Sequence, residues 1–260
     1  MARTSQLHLE FPNTWGGRRK GAGRKRRAAQ RQVPHRPRPR LASRFPVHIT
    51  VRLLPGLPSL RGFELARVLR RAFVHGCDKR GFRICHFSIQ RSHIHLICEA
   101  KSKDRLARGV QGWKVRVARG LNKPWQRKGS VFDDRYHLEV MKTPRQVRNG
   151  LCYVLQNGRR HGQRLPACGN GADVFSSACY FDGWRDDRWR KGVPPPVPDP
   201  EAPGPPVAAP HTWLLNIGWR RHGLIRIDEV PGPRGQVRTG RRRGRADARG
   251  MPHTRASHAR

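Results

Sequence analysis

Acidic residues are scarce in this 260-residue chain: 17 Asp and Glu stand against 55 Lys and Arg, a formal charge of +38. Such an excess repels itself unless a polyanion neutralises it. Nucleic acid is therefore the first partner to consider, and an ordinary small-molecule enzyme is disfavoured. Charge alone does not separate DNA from RNA, or an enzyme from a coat. Aromatic residues make up only 7 %, while 27 Gly and 22 Pro interrupt the chain. One moderate core with long basic extensions fits this better than packed structure throughout. No run approaches the roughly 18 to 20 apolar residues that cross a bilayer. The start, MARTSQLHLEFPNTWGG, lacks the apolar stretch and small-residue cleavage site of a secretory signal. Cys77, Cys85, Cys98, Cys152, Cys168 and Cys179 form no CxxC pair and no zinc-finger spacing. Three of them fall in apolar periodic segments, where a thiol acts as a small hydrophobe. Reduced cysteines in a cytoplasmic protein are expected, with a disulfide framework as the alternative.

The positive charge is unevenly spread. Residues 1–44 hold 13 Lys or Arg and one acid, with GRRKGAGRKRR at 17–27 and prolines at 34, 37 and 39. Too little apolar area is available there to offset chain entropy, so the segment reads as a basic disordered arm. Residues 231–260, with nine Arg and one Asp, read as an Arg-rich disordered tail. Residues 191–210, KGVPPPVPDPEAPGPPVAAP, read as a Pro-rich linker with polyproline-II character. The apolar, regularly patterned part is 45–165, and it too is basic, with 26 Lys or Arg against seven acids. Residues 166–190 and 211–230 read as short extension segments.

Within 45–165 the pattern resolves into elements. Val47–Leu54 alternates as a strand and stops at PGLP. Phe63–Arg80 has helical spacing and ends at Gly81. Phe82–Ile89 and His93–Glu99 are strands joined by the short polar link Gln90–Ser92. Lys103–Leu121 is helical, with Leu106, Val110, Val117 and Leu121 in register and Trp113 in the same periodicity. Ser130–Met141 reads as a further strand. A last helix spans about 144 to 161, with Pro144 in its first turn and Thr143 as its N-cap. The predicted fold is α+β: a ferredoxin-like β-α-β-β-α-β core followed by one more helix. That fold hosts many functions and argues for none by itself.

Chemistry enters with His93-Ile94-His95. Period-two geometry puts both imidazoles on one sheet face and leaves Ile94 and Leu96 for the other. Two imidazoles so spaced can share a divalent metal with a position open to a phosphate oxygen. A bare HxH also arises as two surface or hydrogen-bonding histidines. The last helix adds a polar stripe, Asn149, Tyr153, Asn157 and His161, each four apart. Its apolar stripe is Val147, Leu151 and Val154/Leu155. A tyrosine attacking a phosphodiester conserves the bond energy in a phosphotyrosyl link, with a metal stabilising the transition-state charge. Tyr153 is the candidate nucleophile, and the Asn157 carbonyl oxygen can complete a metal shell. Tyr136 falls in the last strand, where packing or stacking is its competing role, and Tyr180 falls in the C-terminal half. The base that takes the phenol proton is left open, with His161 and His137 as possible helpers; His48 on the first strand can lie near the metal side or be a sheet-surface residue.

The stretches FRICHFSIQRSHIHLICEA and GSVFDDRYHLEVMKTPRQVRNGLCYVLQNGRRHG resemble the single-tyrosine HUH (His-hydrophobic-His) transposases of bacterial insertion sequences and their REP-associated relatives. The resemblance spans about 45–165. It implies a divalent ion, Mg²⁺ or Mn²⁺, on His93, His95 and Asn157, with Tyr153 as nucleophile. Many mobile-element members carry Gln where this chain has Asn157, whereas Asn is common in the REP-associated branch. The implied reaction is cleavage of single-stranded DNA beside a hairpin, leaving a 5′-phosphotyrosine and a free 3′-OH, then strand rejoining. GRRKGAGRKRR followed by PHRPRPR resembles the family's basic lead-in, and SSACYFDGW and TWLLNIGWRRHGL resemble a C-terminal extension of one subgroup. Mobile relatives are commonly homodimers, and REP-associated ones can act as monomers. No membrane and no small-molecule substrate is implied.

For DNA contact the candidates are Arg18, Arg19, Lys20, Arg24, Lys25, Arg26 and Arg27 in the arm, which would supply salt-sensitive affinity without base reading. Arg67, Arg70 and Arg71 on the first helix and Lys114, Arg116 and Arg119 on the second are either phosphate contacts or solvated helix faces. Trp125, following Pro124 in a loop, is a candidate for base stacking, while Trp113 reads as core. The alternative function is a non-catalytic binder of structured DNA or RNA on the same fold. Such a binder has no reason to keep His93, His95 and Tyr153 on converging faces.

Overall fold

In a computed structural model of the chain, residues 38, 40–161, 167–168, 172–186, 199–231 and 237–238 are described. The arm bearing Arg18 to Arg27 lies outside them, as does nearly all of 231–260. The elements run β1 (Val47–Arg52), α1 (Phe63–Val74), β2 (Asp78–Lys79), β3 (Phe82–Ile89), β4 (His93–Ala100), α2 (Lys103–Asn122), β5 (His137–Val140), α3 (Pro144–Leu155) and the single turn α4 (Asn157–Arg160). The five strands form one sheet in the order β2-β3-β4-β1-β5. β1 pairs antiparallel with both β4 and β5, and β3 pairs antiparallel with β4. Strands β1 and β3 therefore run parallel with β4 between them, the split arrangement expected of a ferredoxin-like core.

Three boundaries depart from the periodicity. The first helix stops at Val74 instead of Arg80, because Asp78 and Lys79 pair with Arg83 and Phe82. The turn between them is Arg80-Gly81, with Gly81 at φ 81°, so this glycine closes a hairpin and does not cap the helix. The strand read at Ser130–Met141 shrinks to His137–Val140. β1 ends at Arg52, so 131–136 form no continuous ladder with it, and the backbone bonds there are scattered: Leu54 N–H to the Val131 carbonyl, Asp133 N–H to the Arg52 carbonyl, and a Leu53–Phe132 bridge. The last helix breaks at Gln156, where the backbone leaves helical values (φ −108°, ψ 16°). Its start is as expected. Thr143 and Gln146 form a reciprocal capping box ahead of Pro144.

The sheet has two different faces. On one, Val47, Ile49, Val51, Ile94, Leu96, Cys98 and Phe87 pack with α1 and α2 in a core that includes Phe73 and a fully buried Trp113. On the other, Ile97 and Cys85 pack with Val147, Leu151, Val154 and Leu155 of α3. That second core also takes in Phe181, Trp184, Leu215 and Trp219 from beyond residue 165. A glycine at 150 lets α3 close onto the sheet, since the Met141 sulfur occupies the space a Cβ would take. Cys77, Cys85, Cys98, Cys152 and Cys179 are free thiols.

The Pro-rich stretch 191–210 is not a free linker over its described part. Arg70 donates to the Ala202 and Gly204 carbonyls, Arg71 pairs with Asp199 at 2.6 Å and with Glu201, and Ala208 N–H donates to the Ile84 carbonyl. A segment without helix or ladder bonds is held here by two guanidinium groups that satisfy its oxygens. Among the described residues no helix is long and apolar enough to cross a membrane.

Candidate active site

The site forms where β1, β4 and α3 meet on the second face. Sheet register puts Thr50 opposite His95 and Arg52 opposite His93, so the polar parity of VHITVR lies beside the polar parity of HIHLICEA. Ile94 and Leu96 are fully buried on the opposite face, as the alternation requires. The two imidazoles are adjacent, with ring centroids 4.8 Å apart. Tyr153 of α3 comes down on this pair: its ring lies 5.2 Å from that of His95 and 5.6 Å from that of His48, both edge-on. The Arg160 guanidinium carbon stands 5.2 Å from the Tyr153 ring centroid.

His95 is oriented from the neighbouring strand. Its Nδ1 lies 3.1 Å from His48 Nε2 and 3.1 Å from Thr50 Oγ1. A proton on Nδ1, donated to either atom, leaves the Nε2 lone pair directed away from β1. That Nε2 is buried and finds no hydrogen-bond partner among the described residues. Burial, and then the charges of His48 and His93, hold the His95 pKa well below the ordinary imidazole value. Burial, followed by His161 and Arg52, lowers that of His93 to about 4. Both rings are therefore neutral near pH 7, the form that coordinates metal.

Asn157, four residues beyond Tyr153, is in an unusual state. It is 0 % exposed, and neither its Oδ1 nor its Nδ2 has a hydrogen-bond partner among the described residues. An unsatisfied buried amide costs about 1–3 kcal/mol, so a native fold tolerates one where something else engages it. The break at Gln156 displaces the end of the predicted stripe. His161 nonetheless stays close, its backbone N–H on the Asn157 carbonyl and its ring 6.4 Å from that of His93. Among the described residues no group of three His, Cys, Asp or Glu side chains is arranged as a metal site. The donor set on offer is two imidazoles and an amide oxygen, and the orphaned His95 Nε2 and Asn157 Oδ1 fit a hard or borderline divalent ion such as Mg²⁺ or Mn²⁺.

Periodicity singles out His93, His95, Tyr153 and Asn157, and it undervalues His48. The signal for His48 lies in VHITVR, where His48 and Thr50 oppose the apolar parity. Ser88 and Gln90 are missed by it altogether. Ser88 is registered with His95, and Gln90 Nε2 donates to Ser88 Oγ at 2.7 Å while its Oε1 is buried without a partner among the described residues. His137 shares this face through its pairing with Thr50 but is exposed on the edge strand.

The candidate DNA contacts on helices lie across the sheet from Tyr153. Arg70 and Arg71 are engaged with 199–204, and Lys114 donates to the Asp134 carbonyl at 3.3 Å with its ammonium over Phe132. Arg67, Arg116 and Arg119 are exposed, and Trp125 is half-buried against the core. Arg119, Lys123, Arg127 and Lys128 gather around an open concavity at the end of α2.

Residues 60–154 match the family model described as transposase, IS200 like. The match includes His93, His95 and Tyr153, and ends before Asn157. Among solved structures the chain is similar to a REP-associated tyrosine transposase bound to a REP hairpin, at 17 % identity and a TM-score of 0.44. That likeness covers 56 % of this chain and 82 % of the other. No curated protein matches the chain.

Proposed function

We propose that the protein is a single-strand DNA endonuclease and strand transferase with Tyr153 as its nucleophile, on the footing that residues 60–154 match the IS200-like transposase family model. The observation that carries this reading is the packing of Tyr153 against His95 and His48, together with two buried ligand atoms, His95 Nε2 and Asn157 Oδ1, that lack hydrogen-bond partners among the described residues. The Tyr153 oxygen attacks a scissile phosphorus, the bond to the 3′ oxygen breaks, and the phenol proton leaves the enzyme side as the 3′-OH forms. The product is a 5′-phosphotyrosine and a free 3′ end. Attack by a second 3′-OH reverses the step and rejoins the strands without hydrolysis.

His93, His95 and Asn157 would hold the Mg²⁺ or Mn²⁺, which when bound supplies Lewis-acid stabilisation of the phosphate oxygens. His48 and Thr50 keep His95 in one tautomer and one orientation. Arg160 places positive charge beside the phenol and the incoming phosphate. The substrate proposed is single-stranded DNA next to a hairpin, held through its phosphates by basic side chains, those of the arm among them. With Mn²⁺ and a palindromic single strand, the wild-type protein is expected to form an SDS-resistant adduct that is lost on chelation and in Tyr153→Phe. An unchanged adduct in Tyr153→Phe would refute the nucleophile. Failure of the wild type on every palindromic strand would favour a non-catalytic binder.

A further inference from the structure

Tyr153, His93, His95 and Asn157 all precede residue 161, so the chemistry leaves 211–231 without a task. The described chain there is nevertheless tied to the catalytic elements at three buried points. Glu99 of β4 accepts from the His211 and Thr212 N–H groups and from the Thr212 hydroxyl, each at 2.8 Å. Arg148 of α3 forms a two-pronged pair with Glu229, at 2.7 and 3.0 Å, and also donates to the Gly223 and Leu224 carbonyls. Gln156 donates through Nε2 to the Arg226 and Ile227 carbonyls, at 3.1 and 2.7 Å.

We propose that residues 211–231 form a clamp that fixes the nucleophile helix, with Arg148 and Gln156 as positioning residues for Tyr153 and Asn157. The proposal rests on Tyr153 being the nucleophile. Gln156 is the residue at which α3 breaks, and Asn157 follows it directly. Fixing Gln156 from its side chain therefore sets both the last turn that carries Tyr153 and the first residue after it. A 12-residue helix is too short to hold itself in place, so its position comes from what it packs on. Burying an unpartnered Asn157 amide is costly, and the backbone around it relaxes unless it is held. Glu99 lies on the same face of the same strand as His95, about 13 Å along it at strand rise. The clamp thus begins on the strand that bears the imidazoles and ends on the helix that bears the tyrosine. A displacement near 1 Å at a reacting atom is worth about 10²-fold in rate.

The test uses the full chain and a single-stranded hairpin DNA with Mn²⁺, measuring single-turnover adduct formation and hairpin affinity separately. Gln156→Glu keeps the shape and the acceptor for Arg159 but removes the donor to the two carbonyls. It is expected to slow adduct formation at saturating DNA by about 10-fold or more while affinity changes less than about two-fold. Arg148→Met should behave likewise, and Arg148→Lys should retain more of the rate. Wild-type rates in Gln156→Glu and Arg148→Met, alongside loss in Tyr153→Phe, would overturn the clamp and leave the nucleophile standing. Parallel falls in affinity, rate and Tm would overturn positioning in favour of plain structural support. Should the wild type form no adduct, the nucleophile reading fails and amide hydrogen exchange decides the clamp. Faster exchange in Gln156→Glu confined to 153–161 sustains it, and unchanged exchange overturns it.

Discussion

The two faces of the central sheet are built to different ends. The face toward α1 and α2 is apolar throughout, with Phe73 stacked on Phe87 at 4.0 Å and 5.2 Å from the Trp113 ring centroid. The face toward α3 carries His48, Thr50, Ser88, Gln90, His93, His95 and Glu99, several of them buried and some with polar atoms unpaired among the described residues. The first face stabilises the molecule by close packing. The second buries polar groups, two of whose atoms, Gln90 Oε1 and His95 Nε2, have no hydrogen-bond partner among the described residues. The difference teaches that the candidate site occupies a polar strip on one surface of the sheet, while both surfaces carry an apolar core.

The comparison can be broken by substitution. Phe73→Ala, in the apolar face, should lower unfolding free energy by about 3–5 kcal/mol by opening a cavity, read by denaturant melts. If it costs less than Glu99→Ala, the division of labour is wrong. Glu99→Ala sits on the polar face but serves structure, and should cost about 2–3 kcal/mol by stranding the His211 and Thr212 donors. Asn157→Ala should have the smallest effect in metal-free protein, within about 1 kcal/mol of wild type, because it removes two atoms that have no partners among the described residues. It should also abolish the rise in Tm that Mn²⁺ gives the wild type. A large loss of stability in the metal-free Asn157→Ala protein would show that the amide is structural.

Much of the candidate site is legible in the amino-acid sequence. His93 and His95 are two residues apart on a strand, so a shared face follows from backbone geometry. Tyr153 and Asn157 are four apart beyond a strong N-terminal helix signal, PRQV after Thr143, so their proximity follows too, although the helix breaks between them. His48 and Thr50 have the right parity, and only their adjacency to β4 requires the sheet order. What escapes a sequence reading is long-range and aperiodic. Arg148 meets Glu229 across 81 residues and Gln156 meets Arg226 across 70, and neither pair leaves a spacing to read. The Pro-rich segment misleads for the same reason: its composition describes how it behaves alone, and Arg70 and Arg71 change what it does in company.

By itself the sequence pointed to nucleic acid as partner, gave the order of the main elements and singled out the four residues of the candidate site. Net charge, hydrophobic period and short spacings are local quantities and survive without a fold. Only the tertiary structure decided that His48 meets His95, that Asn157 is buried with its amide unpaired among the described residues, and that 211–231 bonds to the helix that bears Tyr153. Those facts depend on which surfaces meet. They are set by contacts between residues far apart in the chain, and no local pattern encodes them.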